Sequence, residues 1–264
     1  MSISFDRVAN IYDATRGLPP QVSEQITDCI LRLVAATPET KFLEPGIGTG
    51  RIALPILQRG YSYTGVDISE KMLDELRHKL GDESSRLTLI QTDATSLPFS
   101  DDSFDVALTV HLLHLIPAWR EVLAELRRVL KPDGLYLYCH DNAGPSARKN
   151  FDQQWETILA RYGVKLAKYG AASNEEVIQV LQEQGAQLET VIAAQWQYER
   201  TVGELLESYA GRIYSTSWQI PEGVFSAVIQ DLKDWSKATY ESEEVRLSFD
   251  AKFEITVARN WSVV

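Results

Sequence analysis

The sequence predicts an α/β fold: a doubly wound, mostly parallel sheet carrying a helical cap. Three observations predict it. Across the first half of the 264 residues, short β-type runs alternate with helical periods. Those runs are nearly continuous in apolar residues, the pattern of strands buried on both faces, as a parallel sheet requires. After Asn142 the alternation weakens without any repeat or low-complexity linker, as expected of an elaboration on one sheet. Strand–helix alternation with right-handed crossovers then gives the doubly wound arrangement.

Each element has its own warrant. Phe5, Val8, Ala9 and Tyr12 fall at three- and four-residue steps, one apolar face of a short helix. Such a helix has no place in the alternation, so it packs on an edge or covers a site; Tyr12 and Arg16, four residues apart, share one side of it. Lys41–Glu44 is the first strand, stopped by Pro45-Gly46. Pro55 interrupts the apolar period from Ile52 to Leu57 and predicts a short or bent helix there. Tyr61–Ile68 is the second strand, and Ser69 with Glu70 suits the start of the next helix. Leu87–Ile90 and Phe104–Leu112 are the third and fourth strands. Trp119, Val122, Leu123, Leu126, Val129 and Leu130 line one helix face, which Pro132 and Gly134 stop. Leu135–Cys139 is the fifth strand. Beyond it, helices are expected at 151–162, 175–184, 201–210 and 225–240, with strands at 187–194 and 252–258. The expected division is one domain: 1–36 as amino-terminal lid helices, 37–141 as a ligand-binding core, 142–250 as cap and sixth strand, and 251–264 as final strand.

Composition narrows the function. The formal net charge is −11, which disfavours nucleic acid and anionic membrane surfaces, since both need basic patches. Cys29 and Cys139 stand alone, with no metal-ligand spacing, so no metal is expected. No apolar run is long enough for a signal or a membrane span, and a cytoplasmic setting with reduced thiols is the expectation.

Two sites carry chemistry. Glu44-Pro45-Gly46-Ile47-Gly48-Thr49-Gly50 lies between a strand and a helix, where ligands of open α/β sheets bind. Its glycines allow a sharp turn and a ligand against bare backbone. A dinucleotide fingerprint needs a small third residue where this chain has Arg51, which weighs against an NAD-dependent reductase. One βα unit later Asp67 ends the second strand, where a carboxylate accepts hydrogen bonds from ribose hydroxyls. A lone strand-end Asp is equally a turn residue; the glycine loop beside it favours the nucleoside.

These segments resemble the class I S-adenosylmethionine-dependent methyltransferases, near the branch with ubiquinone- and biotin-pathway members. The resemblance covers Phe5 to about Gly134. Its carriers, in order, are 5–13, Glu44–Gly50, Val66–Ser69 with Met72-Leu73, Thr92–Ala94 with Leu97–Phe99 and Phe104-Asp105, and Arg128–Gly134. It implies a Rossmann-like sheet, mostly parallel with an antiparallel last strand. It implies that Gly46, Gly48 and Gly50 pass under the methionine part of S-adenosylmethionine, with Glu44 near its amino group. Asp67 would hold the ribose, Ile68 and Met72 pack near the adenine, and Asp93 accept from the adenine amino group beside Ala94. Val110 and His111 would face the sulfonium, and Tyr12 and Arg16 close from above. The family most often has glycine where this chain has Asp133, a turn position. No Asn-Pro-Pro-Tyr motif follows the fourth strand, which the resemblance reads against amide or nucleobase nitrogen as acceptor.

The implied reaction is methyl transfer to oxygen, nitrogen or carbon of a small molecule, giving S-adenosylhomocysteine, by a monomer or homodimer. Alternatives are a cofactor-binding protein without turnover and a relative using the same cofactor differently. A neutral acceptor needs a base; His111, His114 and His140 all follow strands at the ligand edge, and His111 is best placed. Arg212 and Tyr214 are weaker candidates for acceptor contact. Five of six tryptophans lie after residue 150 and form either cap core or an aromatic acceptor pocket.

Overall fold

The computed structural model describes residues 3–80, 85–143 and 147–261. In chain order the elements are α1 (Tyr12–Arg16), α2 (Pro20–Leu33), β1 (Phe42–Pro45), α3 (Ala53–Gln58), β2 (Tyr63–Asp67), α4 (Glu70–Lys79), β3 (Leu87–Gln91) and β4 (Phe104–Val110). There follow α5 (Trp119–Val129), β5 (Leu130–Ala143), α6 (Ala147–Arg161), α7 (Asn174–Glu183), β6 (Gln187–Thr201), α8 (Val202–Ala210), α9 (Glu222–Thr239) and β7 (Arg246–Arg259). The chain divides into two compact units. One comprises Met1–Asp141, Lys168–Ala194 and Phe253–Val264; the other comprises Asn142–Ala167 and Gln195–Lys252.

The strands form one seven-stranded sheet in the order β3-β2-β1-β4-β5-β7-β6. The pairs β1–β2, β1–β4, β2–β3 and β4–β5 are parallel, so their carboxyl ends share one edge. The last strand is antiparallel, as the side chains joining β6 and β7 show: Thr190 meets Thr256 at 2.9 Å, and Gln197 meets Asp250 at 2.7 Å. One number rises as the other falls. All of Phe42–Pro45 is buried, which explains why these strands read as unbroken apolar runs. Helix α5 lays Trp119, Val122, Leu123, Leu126 and Val129 into the core, the face its periodicity predicts. Each fully buried side chain of this size contributes about 1.5–3 kcal/mol. Pro55 sits in the first turn of α3, where no intrahelical N–H is required, and the helix is only six residues long.

Three expectations are corrected. Strand β4 ends at Val110 rather than Leu112, because His111 turns the chain with a left-handed φ of 51°. Strand β5 starts at Leu130 rather than Leu135. Phe104 pairs with Leu130 and Val106 with Leu135, so residues 131–134 bulge opposite Asp105. Pro132 and Gly134 thus stop α5 without stopping the ladder. A Cβ at Gly134 would lie 2.9 Å from the Lys131 carbonyl oxygen, whereas Asp133 is exposed and unconstrained in size. The segment 5–12 is not one helix. Val8 takes φ −125°, ψ 8°, outside the helical region, and a 3-10 turn over Ala9–Ile11 leads into α1. Val8 and Ala9 are nonetheless buried.

The second unit has its own apolar core. Phe151, Trp155, Ile158, Tyr209, Val228, Leu232 and Phe249 are buried in it, with Trp235 and Tyr240 packed against them. Among the described residues, no helix is long and apolar enough to cross a membrane.

Candidate functional site

The site begins where β1 runs out. The amides of Gly46 and Ile47 both donate to the Val66 carbonyl, at 2.7 and 3.1 Å, folding the loop onto the end of β2. Gly46, Gly48 and Gly50 have φ of 72°, 55° and 81°, which L side chains rarely adopt. An added Cβ would also crowd neighbouring side-chain tips. A Cβ at Gly46 would lie 2.6 Å from Leu112 Cδ1, and one at Gly50 would lie 2.5 Å from Leu76 Cδ1. At Gly48 the neighbour is Met72 Cε at 3.1 Å, which places the buried Met72 directly against the loop.

Asp67 closes β2 beside it. Its Oδ2 accepts from Gly48 N–H at 2.9 Å and its Oδ1 from Ser69 N–H at 2.8 Å. Burial raises the Asp67 pKa; the backbone N–H groups of Ser69, Gly48 and Ile68 oppose that rise. Ser69 also caps α4, accepting from Met72 N–H at 3.2 Å, and its hydroxyl donates to the Asp6 carboxylate. The Ile68 carbonyl accepts from the Gln91 amide at 3.2 Å, and Thr92 N–H donates to Asp67 O at 3.0 Å. This brings the end of β3 alongside. There the Asp93 carboxylate accepts from Thr95 N–H and Oγ1, at 3.0 and 2.9 Å, with Ala94 buried next to it.

Glu44 lies deeper than expected. It is 2% exposed and accepts from the Tyr63 hydroxyl at 2.7 Å. Burial pushes its pKa up to about 8, against the pull of Tyr63 and Arg51. Its carboxyl therefore sits in the sheet, bonded to β2.

The amino-terminal segment is tied to the loop by polar contacts. Thr49 Oγ1 donates to Asp13 at 2.6 Å, and Lys79 Nζ reaches both Asp13, at 2.5 Å, and the Thr49 carbonyl, at 2.6 Å. Tyr12 and Arg16 do share a side: the Arg16 guanidinium lies 5.1 Å from the Tyr12 ring centroid and 5.5 Å from that of Phe5.

At the ends of β4 and β5 a second cluster forms. Val110 pairs with Cys139, so His111, just past the end of β4, lies beside His140 and Asp141, which continue β5. His111 Nε2 bonds Asp141 Oδ1, and Asp141 N–H donates to the same nitrogen at 3.1 Å. Arg51 Nη1 stands 3.3 Å from Asp141 Oδ2 and donates to the Arg16 carbonyl at 3.1 Å. Sequence reasoning missed Asp141 altogether and saw Arg51 only as bulk. The available signal was positional: in a parallel sheet, the residue just past one strand's end neighbours the residues that continue the adjacent strand. His114 is exposed in the following 3-10 turn, 6.2 Å from His111 ring to ring. His140 is buried, with Nε2 3.6 Å from Glu254.

The candidates of the second unit are engaged locally. Arg212 lies 3.7 Å over the Phe225 ring and 3.0 Å from Glu222, and the Tyr214 ring is 5.9 Å from that of Tyr209. Trp155 and Trp235 belong to that unit's core, and Trp218 Nε1 donates to the Arg212 carbonyl at 2.6 Å. In the first unit, Trp261 stacks on Tyr136 at 5.2 Å.

Comparison with known proteins agrees with this geometry. Residues 43–138, which run from β1 into β5 and include the glycine loop, match the model of a methyltransferase domain. The chain is 31% identical over 185 residues to a demethylmenaquinone methyltransferase of Clavibacter sepedonicus, covering 69% of this chain and 75% of that one. It is 30% identical over 189 residues to a fatty-acid O-methyltransferase of Mycolicibacterium smegmatis, covering 68% and 66%. In fold it is similar to a Haemonchus contortus phosphoethanolamine N-methyltransferase solved with S-adenosylhomocysteine. That match has TM-score 0.58 at 18% identity, over 97% of this chain and 57% of that one. A glycine-turned loop after β1, a carboxylate at the end of β2 and this strand order, matched by relatives over most of the chain, make it a member of the class I S-adenosylmethionine-dependent methyltransferases, which here act on small-molecule acceptors.

Proposed function

We propose that the edge built by the glycine loop, Asp67, Asp93 and His111 holds S-adenosylmethionine and presents it to a small-molecule acceptor. The observation that carries this reading is the Asp67 carboxylate. Its oxygens accept backbone N–H groups, Gly48 at Oδ2 and Ser69 at Oδ1, and a carboxylate's roughly four lone-pair sites leave acceptor capacity for a ribose hydroxyl. The other residues fit the same ligand. Gly46, Gly48 and Gly50 leave bare backbone for the methionine part. Ile68, Met72 and Ala94 offer apolar surface to the adenine, with Asp93 for its amino group. Val110 and His111 stand at the sulfonium end, Tyr12 and Arg16 close the site, and Glu44 lies below the amino group. A cationic, zwitterionic ligand suits a site this rich in carboxylates.

When bound, the cofactor supplies an electrophilic methyl group and a neutral thioether as leaving group. The chain supplies position: holding acceptor and donor in line replaces a bimolecular encounter and accounts for most of the rate. Residues 37–141 carry the binding part of this reading. We extend it to a cytoplasmic monomer or homodimer; the −11 net charge speaks against nucleic acid as the acceptor.

Calorimetry with S-adenosylhomocysteine tests the donor site. A micromolar Kd is expected, about −8 kcal/mol, with no heat from NAD. Absence of heat and of thermal shift at millimolar ligand overturns the assignment. Turnover of methyl-labelled S-adenosylmethionine on an acceptor panel then identifies the acceptor.

A further inference from the structure

Glu44 carries a carboxyl into surroundings that favour an apolar side chain. It is the third residue of β1, two before the first glycine of the loop, and its whole strand is buried. On β2 it pairs with Gly65, and Leu43 before it pairs with Ala107 of β4. A carboxylate in such a place loses its hydration, a cost that persists unless a partner offsets it. The partners are few. Glu44 Oε2 accepts from the Tyr63 hydroxyl at 2.7 Å, and among the described residues Oε1 has no hydrogen-bond partner. No cation pairs with Glu44 among those residues either. Arg51, whose charge reaches it, is committed to Asp141 at 3.3 Å and to the Arg16 carbonyl at 3.1 Å.

We propose that Glu44 exchanges its proton for the ligand's ammonium group: it is a neutral acid in the free protein and becomes a carboxylate when the methionine part of the donor binds above it. This rests on the donor-site reading above. The exchange balances. The O–H bond of the Glu44 carboxyl breaks, its electron pair stays on the carboxylate, and the proton goes to solvent. The ligand keeps all three ammonium hydrogens and its own carboxylate. A neutral buried acid is thereby replaced by an ion pair whose cation arrives with the ligand.

Magnitudes decide the two states. In the free protein burial wins and pushes the Glu44 pKa up to about 8, against the Tyr63 hydrogen bond and the Arg51 charge. The groups facing it come from three elements besides its own. Tyr63 and the Asp67 carboxylate belong to β2, and Asp67 raises it further; Arg51 follows the glycine loop; the buried Cys139 thiol of β5 is itself pushed up by burial and then by Glu44. At pH 7 the acid is therefore favoured by about tenfold. A cation close to a carboxyl in a protein site favours the ionised form roughly a thousandfold, which outweighs that preference. The histidines of this edge do not supply the proton, because burial holds His111 and His114 below the usual imidazole range. The complex then carries fewer protons than the free protein, so affinity rises with pH toward the Glu44 pKa and levels off above it.

Calorimetry of the full chain at pH 7, in buffers of different ionisation enthalpy, counts the protons. S-adenosylhomocysteine should release close to one. 5′-Methylthioadenosine, which has the nucleoside and the thioether but no amino acid, should release none. From pH 6 to pH 7 the affinity for S-adenosylhomocysteine should rise about tenfold, while that for 5′-methylthioadenosine stays within twofold. Glu44→Gln keeps the shape and cannot ionise, so its proton release should vanish and its affinity should be the same at both pH values. Binding of S-adenosylhomocysteine without proton release overturns the proposal, as does release that persists in Glu44→Gln. Equal release by 5′-methylthioadenosine also overturns it, by placing the proton under the nucleoside. Where Glu44→Gln does not fold, the two ligands on the wild type decide the matter. Failure of the wild type to bind S-adenosylhomocysteine at all refutes the donor site instead.

Discussion

Single residues set the chemistry of this edge, and two of them give predictions. Asp67 offers a charged acceptor pair to a diol, so Asp67→Ala should weaken S-adenosylhomocysteine by roughly 1.5–3 kcal/mol. Asp67→Asn should lose less, because one acceptor remains. Equal affinity in calorimetry for wild type and the Ala variant would place the ribose elsewhere. Glu44 gives a pH dependence. A carboxyl kept neutral by burial takes up its proton on folding, so its contribution to stability is complete below the ordinary value of 4.5 and is lost as pH rises toward about 8. Over that window Glu44→Gln should flatten the stability curve, by at most about 1.4 kcal/mol per pH unit. Denaturant titrations at pH 5 and pH 8 test it; a parallel decline in both proteins would show that Glu44 is ionised in the folded state. The glycines and Asp67 were legible in the sequence because each enforces a local constraint that only one or two residue types meet. Asp141 was not, since an Asp at a strand end is common and its meaning arises only from pairing with β4.

Elements were legible where burial is two-sided and illegible where it is not. Strands β1 and β4 and helix α5 are saturated with apolar residues, so runs and periods located them within a few residues. Strands β6 and β7 continue beyond the predicted 187–194 and 252–258 to Thr201 and Arg246. Those extensions alternate exposed side chains with half-buried ones, or in β7 with the buried Phe249 and Ala251, and carry Glu199, Arg200 and Arg246, so hydropathy fades while the ladder persists. The segment 5–16 failed for a different reason. Its apolar spacing is helical, but Asp6 and Asp13 are drawn out to Ser69, Thr49 and Lys79, and the chain follows them in turns. Few of its side chains are buried, so these polar ties hold much of it, and exposed ion pairs are worth about 1 kcal/mol or less. Asp13→Ala should therefore raise hydrogen exchange across Tyr12–Arg16 several-fold in the free protein, and S-adenosylhomocysteine should restore protection. If exchange there is as slow in the variant as in the wild type, and indifferent to ligand, the segment is a fixed element and not a lid.

At the scale of the whole molecule the two units separate stability from donor binding. Every residue proposed to hold the cofactor, from Tyr12 to His111, belongs to the unit containing Met1–Asp141. The other unit has a core of its own, centred on Phe151. That ring is fully buried, edge-on to Trp235 at 5.0 Å and stacked near Tyr240 and Tyr209 at 5.7 and 6.3 Å. Removing it in Phe151→Ala deletes a buried aromatic among aromatics, which typically costs about 3–5 kcal/mol. The glycine loop, Asp67 and Asp93 belong to the other unit. The full-length variant should unfold at lower temperature yet bind S-adenosylhomocysteine within twofold of wild type when measured well below its Tm. Where Phe151→Ala proves too unstable to purify, Phe151→Leu keeps most of the volume and asks the same question at smaller cost. A tenfold loss of affinity in a folded variant would mean that the donor site draws on the second unit. The assignment of the cofactor to residues 37–141 would then have to be abandoned.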